Sequence, residues 1–240
     1  MVLTREGVGY VLDSILSSPL VSKYRITSEA AQRLQALRFR LPALHRDLLA
    51  LSDGVTGFGG YFRIFGVTDV VTDIAVWNDE STWKFAWPQA VGEFLCFGET
   101  AWGDQYAYRV EDLESNENPA VYFMESITLS PEKVAANFGG FVQDEFLRNC
   151  EAPYDEMLIA ARDKFGELRP SEHITYVPSP LVTGEESFEH VTKMPARAAM
   201  IAGGDMATQL SGELQSREIS RIESYLDEMG RARLKVVMRD

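Results

Sequence analysis

The segment FGETAWGDQYAYRV, residues 97–110, carries two carboxylates that could do chemistry, Glu99 and Asp104. Two acids can act as general acid and base in a hydrolase when the fold brings them together. Gly103, however, supplies the backbone freedom that a hairpin turn needs, and an Asp beside it can hydrogen-bond to its own backbone. No nucleophile or further acid can be placed beside Asp104, so a structural role for Gly103, Asp104 and Tyr106 is favoured. A carboxylate-dependent hydrolase remains an alternative.

Residues that could bind a metal are scattered along the chain. His45, His173 and His190 are far apart, and the sequence has no paired Cys-x-x-Cys, His-Glu-x-x-His or EF-hand pattern. We therefore expect no metal site, no cofactor and no catalytic residue. The two cysteines, Cys96 and Cys150, are too few for a disulfide framework, which predicts free thiols in a reducing compartment.

Three tryptophans lie close together in VWNDESTWKFAWP, residues 76–88, with two acidic residues between them. Tryptophan is enriched at protein interfaces because it brings a large contact area at a small cost in conformational entropy. The alternative is that alternating aromatic residues cover one face of a sheet. The sequence supports the two interpretations about equally.

Acidic residues are concentrated in the middle of the chain. The formal net charge is −13, and residues 61–160 hold 18 acidic against five basic residues. This charge argues against a nucleic-acid partner, whose phosphates it would repel, and suits a basic protein. The alternative is a solvated face that keeps the protein soluble. For an interface with an acidic rim and tryptophan anchors, the predicted partner-binding residues are Trp77, Asp79, Glu80, Trp83, Trp87, Glu99, Glu111, Asp112, Glu114 and Glu117.

The elements that must position these residues follow from hydrophobic periodicity. Leucines at helical spacing predict helices over residues 28–41 and 42–54. After Gly57 the period changes to two, which predicts strands over residues 61–67, 69–78, 92–99, 105–112 and 120–126. Successive strands without intervening helices favour an antiparallel meander.

The C-terminal part of the chain has a mixed pattern. Ser130 and Pro131 predict the start of a helix, and a further helix is expected over residues 153–168. A domain boundary is predicted there, giving domains 1–168 and 169–240. In the second, residues 196–210 read as a strand running into a helix with Asp205 at its N-cap, and the chain end as a hairpin turning at residues 227–230.

Several of these segments together resemble a known family. These segments are LPALHRDLLALSDGV, FRIFGV, LCFGETAWGDQYAYRV and VAANFGGFVQDEFL. With them, residues 38–150 resemble the SUKH superfamily, the Smi/Knr-like domain of bacterial immunity proteins and fungal cell-wall regulators, with Asp53-Gly54 in place of the family's Asn-Gly. Gly103, Asp104 and Tyr106 stand at positions that are characteristic of the family. Residues 170–240 are similar to an extension in longer bacterial members.

The resemblance implies an α+β fold, an antiparallel-type sheet flanked by helices, with a smaller α+β C-terminal extension. It also implies a non-enzymatic protein that binds and neutralises a cognate toxin, often a nuclease, and we expect that toxin to be basic. An intracellular scaffold or regulatory protein of the same fold is the first alternative. Because the sequence has no signal segment and no long apolar stretch, we expect a cytoplasmic protein without a membrane partner.

Overall fold

The computed structural model describes residues 5–210 and 219–239, with the backbone alone for residues 5–8 and 89. The helices are α1 (Arg5–Ser17), α2 (Ser28–Ala36), α3 (Ala43–Leu51), α4 (Ile74–Trp77), α5 (Val110–Ser115), α6 (Phe138–Gly140), α7 (Leu147–Glu151), α8 (Glu156–Phe165), α9 (Pro180–Thr183) and α10 (Ala196–Leu210). The strands are β1 (Val21–Lys23), β2 (Val55–Gly57), β3 (Phe62–Ile64), β4 (Phe94–Thr100), β5 (Gln105–Arg109), β6 (Val121–Met124), β7 (Pro131–Ala135), β8 (Glu172–Tyr176), β9 (Val191–Pro195), β10 (Ile219–Leu226) and β11 (Ala232–Met238). A π-helical turn over Phe141–Phe146 joins α6 to α7, and short 3-10 turns cover Phe58–Gly60, Lys84–Ala86, Gln89–Glu93 and Phe188–His190.

Strands β1 to β7 form one sheet in which each strand pairs with the next along the chain. Every one of these pairings is antiparallel. The predicted α+β fold with an antiparallel sheet flanked by helices is therefore confirmed. Two smaller antiparallel pairs, β8–β9 and β10–β11, lie in the C-terminal segment, as expected for an α+β extension.

Helices α3 and α6 cover one face of the sheet through an aromatic core. The His45 ring stacks on Phe138 with centroids 4.4 Å apart, and Phe97 stacks on Tyr108 at 4.3 Å. Tyr106 packs against Phe141 on the same side, as the alternation in β5 predicts. Such aromatic pairs stabilise the fold beyond the apolar area that they bury.

The C-terminal segment packs against the chain that precedes it, in part through the tryptophan cluster. Trp77, Trp83 and Trp87 are all buried, and the Trp87 indole donates a hydrogen bond of 2.8 Å to the Met200 carbonyl in α10. Buried residues on both sides of residue 168, such as Ile174 beyond it, belong to one hydrophobic core. The boundary between domains 1–168 and 169–240 stays a prediction.

Two elements in the middle of the chain differ from the prediction. Residues 69–78 do not form a strand, because the Asp73 carboxylate accepts the N–H groups of Ala75 and Val76 and begins helix α4. Pro131 begins the edge strand β7 rather than a helix, a position where a residue without an N–H is tolerated. The helix that follows begins at Phe138, with Asn137 as its N-cap.

The end of the chain is part correction and part confirmation. Residues 196–210 are helical throughout, so the expected strand is absent and Asp205 is an interior helical residue rather than an N-cap. The predicted hairpin is confirmed, since β10 and β11 pair across a turn in which Gly230 has a φ of 73°. Asp227 closes this turn by accepting the N–H groups of Met229 and Arg231.

Candidate functional site

A row of polar side chains crosses the centre of the sheet. Arg63 in β3 lies opposite Glu99 in β4, and Glu99 lies opposite Gln105 in β5. All three side chains are buried, and His173 of β8, also buried, lies beside Glu99. We call Arg63, Glu99, Gln105 and His173 the buried polar network.

Arg63 satisfies its guanidinium entirely within the protein. It donates 2.8 Å hydrogen bonds to Glu99, to the Gly60 carbonyl and to the Pro170 carbonyl. It also donates to the carbonyls of Arg169 and Glu172, at 2.9 and 2.7 Å. Because three of these acceptors belong to residues 169–172, Arg63 fixes the start of the C-terminal segment on the sheet.

Glu99 is the centre of charge in this network. One carboxylate oxygen accepts from Arg63, and the other lies 3.1 Å from His173 Nε2 and 3.5 Å from the Gln105 amide nitrogen. Burial acts to raise the pKa of Glu99, but His173 and Arg63 outweigh it, and the pKa lies below its ordinary value. Glu99 is therefore a buried anion that Arg63 and His173 hold in place, and it is not available at a surface.

The Gly103–Asp104 turn is also a structural feature of the interior. Gly103 has a φ of 87°, and a Cβ there would lie 2.9 Å from both His173 Nδ1 and Met200 Sδ. The Asp104 carboxylate accepts hydrogen bonds from the Thr100 hydroxyl and the Ser126 N–H. Burial raises the pKa of Asp104, although these two hydrogen bonds partly offset that effect. The turn therefore joins the β4–β5 hairpin to the segment that follows β6.

Tyr106, the third residue of this motif, packs inside the protein. Its hydroxyl donates a 3.1 Å hydrogen bond to Glu145, and its ring contacts Phe141 and Phe123. Burial and the Glu145 carboxylate raise the pKa of the phenol well above its ordinary value. Tyr106 thus helps to attach the π-helical turn to β5.

The exposed acidic residues lie elsewhere, on and after helix α5. Glu111, Glu114 and Glu117 are exposed, and Asp112 is half-buried. We call these four residues the acidic ridge. Within the described residues, the ridge has two loose ion pairs, Glu111 with Arg109 at 3.3 Å and Glu117 with Arg40 at 3.7 Å. Exposed pairs of this kind contribute little to stability, so the fold does not depend on these carboxylates.

Two grooves adjoin helix α5. The larger, about 780 Å³, is lined by Val110, the first residue of α5, and by Phe94 and Asp79. The smaller, about 390 Å³, is lined by Glu117 and by Leu113 of α5. Asp79 thus shares a groove with Val110, the residue before Glu111, and Glu80 beside Asp79 is exposed.

This arrangement corrects part of the predicted interface. Trp77, Trp83 and Trp87 are at most 7% exposed, and Glu99 is fully buried, so none of the four can form a contact surface. The remaining predicted residues are exposed or half-buried, and their role in binding stays a prediction: Asp79, Glu80, Glu111, Asp112, Glu114 and Glu117.

Sequence analysis did not identify Arg63 or His173 as partners of Glu99. A single basic residue inside the apolar run YFRIFGV is a signal for Arg63, because an arginine in a buried strand needs an anionic partner. The sequence around His173 has no comparable pattern that would identify it as a partner of Glu99.

Both cysteines are free and buried, as predicted. Burial raises the pKa of Cys96 to about 11 and that of Cys150 to about 12, so both thiols stay protonated at neutral pH.

Over residues 5–210 and 219–239, no three acidic, histidine or cysteine side chains come together as metal ligands do. In the same ranges, no helix has the length and apolarity to cross a membrane.

The family comparison concerns the region that carries the ridge and three of the four network residues, Arg63, Glu99 and Gln105. Residues 26–144 match the SMI1 / KNR4 family (SUKH-1). Residues 26–144 are a SUKH domain. This confirms the resemblance that the sequence motifs indicated, over nearly the same part of the chain.

The SUKH domain and the segment after it share their fold with a solved structure. "Crystal structure of Atu4351 from Agrobacterium tumefaciens" matches with a TM-score of 0.53 at 12% identity, covering 92% of this chain and 95% of that chain. At this identity the likeness shows the fold alone. Among curated protein sequences, no significant match is found.

Proposed function

We propose that this protein is a non-enzymatic immunity protein that binds a cognate basic toxin and neutralises it in the cytoplasm. The observation that carries the proposal is the acidic ridge, with four carboxylates within seven residues on and after helix α5, beside a groove that Glu117 lines. In contrast, Glu99 and Asp104, the acids that a hydrolase would need, are buried and bonded to groups of the protein itself.

Charge gives the ridge a specific advantage against a nuclease. A nuclease carries basic groups that hold phosphates, and carboxylates presented on one edge can occupy the same groups. Opposite charges on the two partners also steer their encounter and raise the association rate at low salt. The grooves beside the ridge supply concave surface in which side chains of the partner can be buried.

The test begins with the partner itself. The protein is purified by affinity from its native host, and the co-purifying protein is identified and expressed alone in a surrogate host. The proposal expects growth arrest by that protein and recovery of growth when the present protein is co-expressed. A co-purifying protein that is harmless when expressed alone would favour the scaffold alternative and contradict the immunity role.

The binding surface is tested separately with purified partners. Reversing Glu111, Asp112, Glu114 and Glu117 to Lys is expected to slow association about tenfold or more at low salt and to flatten its salt dependence. A matched variant reverses four exposed acids outside the ridge, Glu151, Glu156, Asp163 and Glu167. Both variants change the net charge equally, so equal loss of binding in the two would contradict a role for the ridge.

A further inference from the structure

The two outer edges of the β10–β11 hairpin differ sharply. Helix α10 covers the edge of β11, where Asp205 accepts the Leu234 N–H at 2.7 Å and Gln209 accepts the Val236 N–H at 2.9 Å. Gln209 also donates to the Leu234 carbonyl at 2.8 Å. These two side chains satisfy backbone groups as a neighbouring strand would.

No described residue covers the edge of β10 in this way. Ser224 lies opposite Leu234, and Ile222 lies opposite Val236. In an antiparallel pair, opposite residues direct their backbone groups either both inward or both outward, so the N–H and C=O of Ile222 and Ser224 point away from β11. Within the described residues, no group bonds to them. An uncovered strand edge is a template for pairing with another strand.

The side chains along this edge are open to solvent. Every residue from 220 to 226 is exposed, including Ile222, Tyr225 and Leu226, which are 40%, 45% and 70% exposed. Natural proteins usually protect such an edge with charged residues, especially lysine, or with proline, a bulge or a covering element. In β10 the bulge lies between Ile219 and Arg221, and residues 221–226 contain neither lysine nor proline.

The sequence of β10 is complementary to itself when two copies run antiparallel. In Ser220-Arg221-Ile222-Glu223-Ser224, a two-fold axis at Ile222 places Arg221 of one copy opposite Glu223 of the other, twice. The same axis places Ile222 opposite Ile222 and Ser220 opposite Ser224. Cross-strand pairs of opposite charge and of apolar side chains are favourable in antiparallel sheets.

Neighbouring registers lose this complementarity. An axis at Glu223 would place Glu223 of one copy opposite Glu223 of the other, and like charges directly opposite are unfavourable. An axis at Ser224 would place Arg221 opposite Asp227, which already binds Arg231 within the turn. The charges therefore select the register centred on Ile222.

We propose that this protein forms a two-fold symmetric homodimer by antiparallel pairing of β10 with β10 of a second copy, in the register centred on Ile222. The two hairpins then form one four-stranded sheet. Arg221 and Glu223, which pair at 2.6 Å within one strand, become part of a quartet of alternating charge across the axis. The dimer does not depend on the proposed toxin-binding role of the acidic ridge.

The test uses charge reversal of the full chain and measures mass by light scattering or sedimentation over a concentration series. Wild type is expected to change from monomer to dimer as concentration rises. Arg221→Glu and Glu223→Arg each place like charges opposite one another and are expected to weaken the dimer at least tenfold. Arg221 and Glu223 are 62% and 45% exposed, so both variants are expected to fold, which circular dichroism checks.

Two combinations of these substitutions make the test specific to this register. The double variant Arg221→Glu/Glu223→Arg restores opposite charges and is expected to dimerise as wild type does. Mixing the two single variants is expected to give a heterodimer, because each carries the charges that the other lacks. Wild type that remains monomeric throughout the series overturns the proposal. So do single variants that dimerise like wild type, or a mixture that forms no heterodimer.

Discussion

The buried polar network and the acidic ridge use the same residue types in opposite ways. Glu99 is surrounded by Arg63 and His173, whereas Glu111 on the ridge has only a loose pair with Arg109. A buried charge that loses its partner has no water to replace it, but an exposed one does. We therefore expect substitutions in the network to change stability and substitutions in the ridge to change binding.

The largest effect on stability is expected from Arg63→Leu. This change removes the arginine partner of the buried Glu99 anion and leaves the carbonyls of Arg169, Pro170 and Glu172 without their donor. Loss of one partner of a buried pair costs about 3–5 kcal/mol. The measurement is the free energy of unfolding in denaturant. The control Arg109→Leu removes the exposed partner of Glu111. A cost for Arg63→Leu no greater than that of the control would mean that the network does not hold the fold.

The next effects are expected at the Gly103–Asp104 turn. Gly103→Val forces a β-branched residue to a positive φ and places its Cβ against His173, so we expect a loss of a few kcal/mol. Asp104→Ala leaves the Ser126 N–H without its acceptor and is expected to cost about 1–3 kcal/mol. Thermal unfolding checks both. If Asp104→Ala leaves the melting temperature unchanged but abolishes partner binding, the structural interpretation of the motif is wrong.

A pH effect is expected from His45. Burial lowers its pKa to about 3, so the unfolded chain binds a proton below about pH 6.5 that the folded chain does not. Stability should therefore fall as pH decreases from about 6.5, by roughly 2 kcal/mol at about pH 5 from this group. Denaturant unfolding as a function of pH measures it. His45→Phe should reduce that dependence, whereas Tyr108→Phe, which removes the hydrogen bond to His45, should keep it.

The smallest effect on stability is expected from the ridge. Reversal of its four acids should change the free energy of unfolding little, because exposed charges away from buried contacts contribute within about 0.5 kcal/mol each. Denaturant unfolding of this variant beside wild type provides the check. A loss comparable to that of Arg63→Leu would show that the ridge is part of the folded framework, and the difference between the two regions would disappear.

Local signals predicted much of the fold. Period-two runs identified strands β3, β4, β5 and β6, and Gly230 with Asp227 identified the C-terminal turn. Where the prediction failed, a capping residue outweighed the apolar pattern. Asp73 caps helix α4 inside an apolar run that is typical of a strand. For the candidate site, the exposed acids after β5 were placed correctly on a surface, while the tryptophans were not.

The sequence by itself determined the composition of the acidic segment, the free cysteines, the antiparallel run of the central strands β3 to β6 and the resemblance to the SUKH family. These properties depend on residue type and on spacing over a few positions. Only the tertiary structure decided that His173 reaches Glu99, that α10 covers Trp87, and that α10 closes one edge of the hairpin while no described residue bonds to the other. The physical reason is that burial and long-range pairing depend on which distant segments meet, and local periodicity carries no information about that.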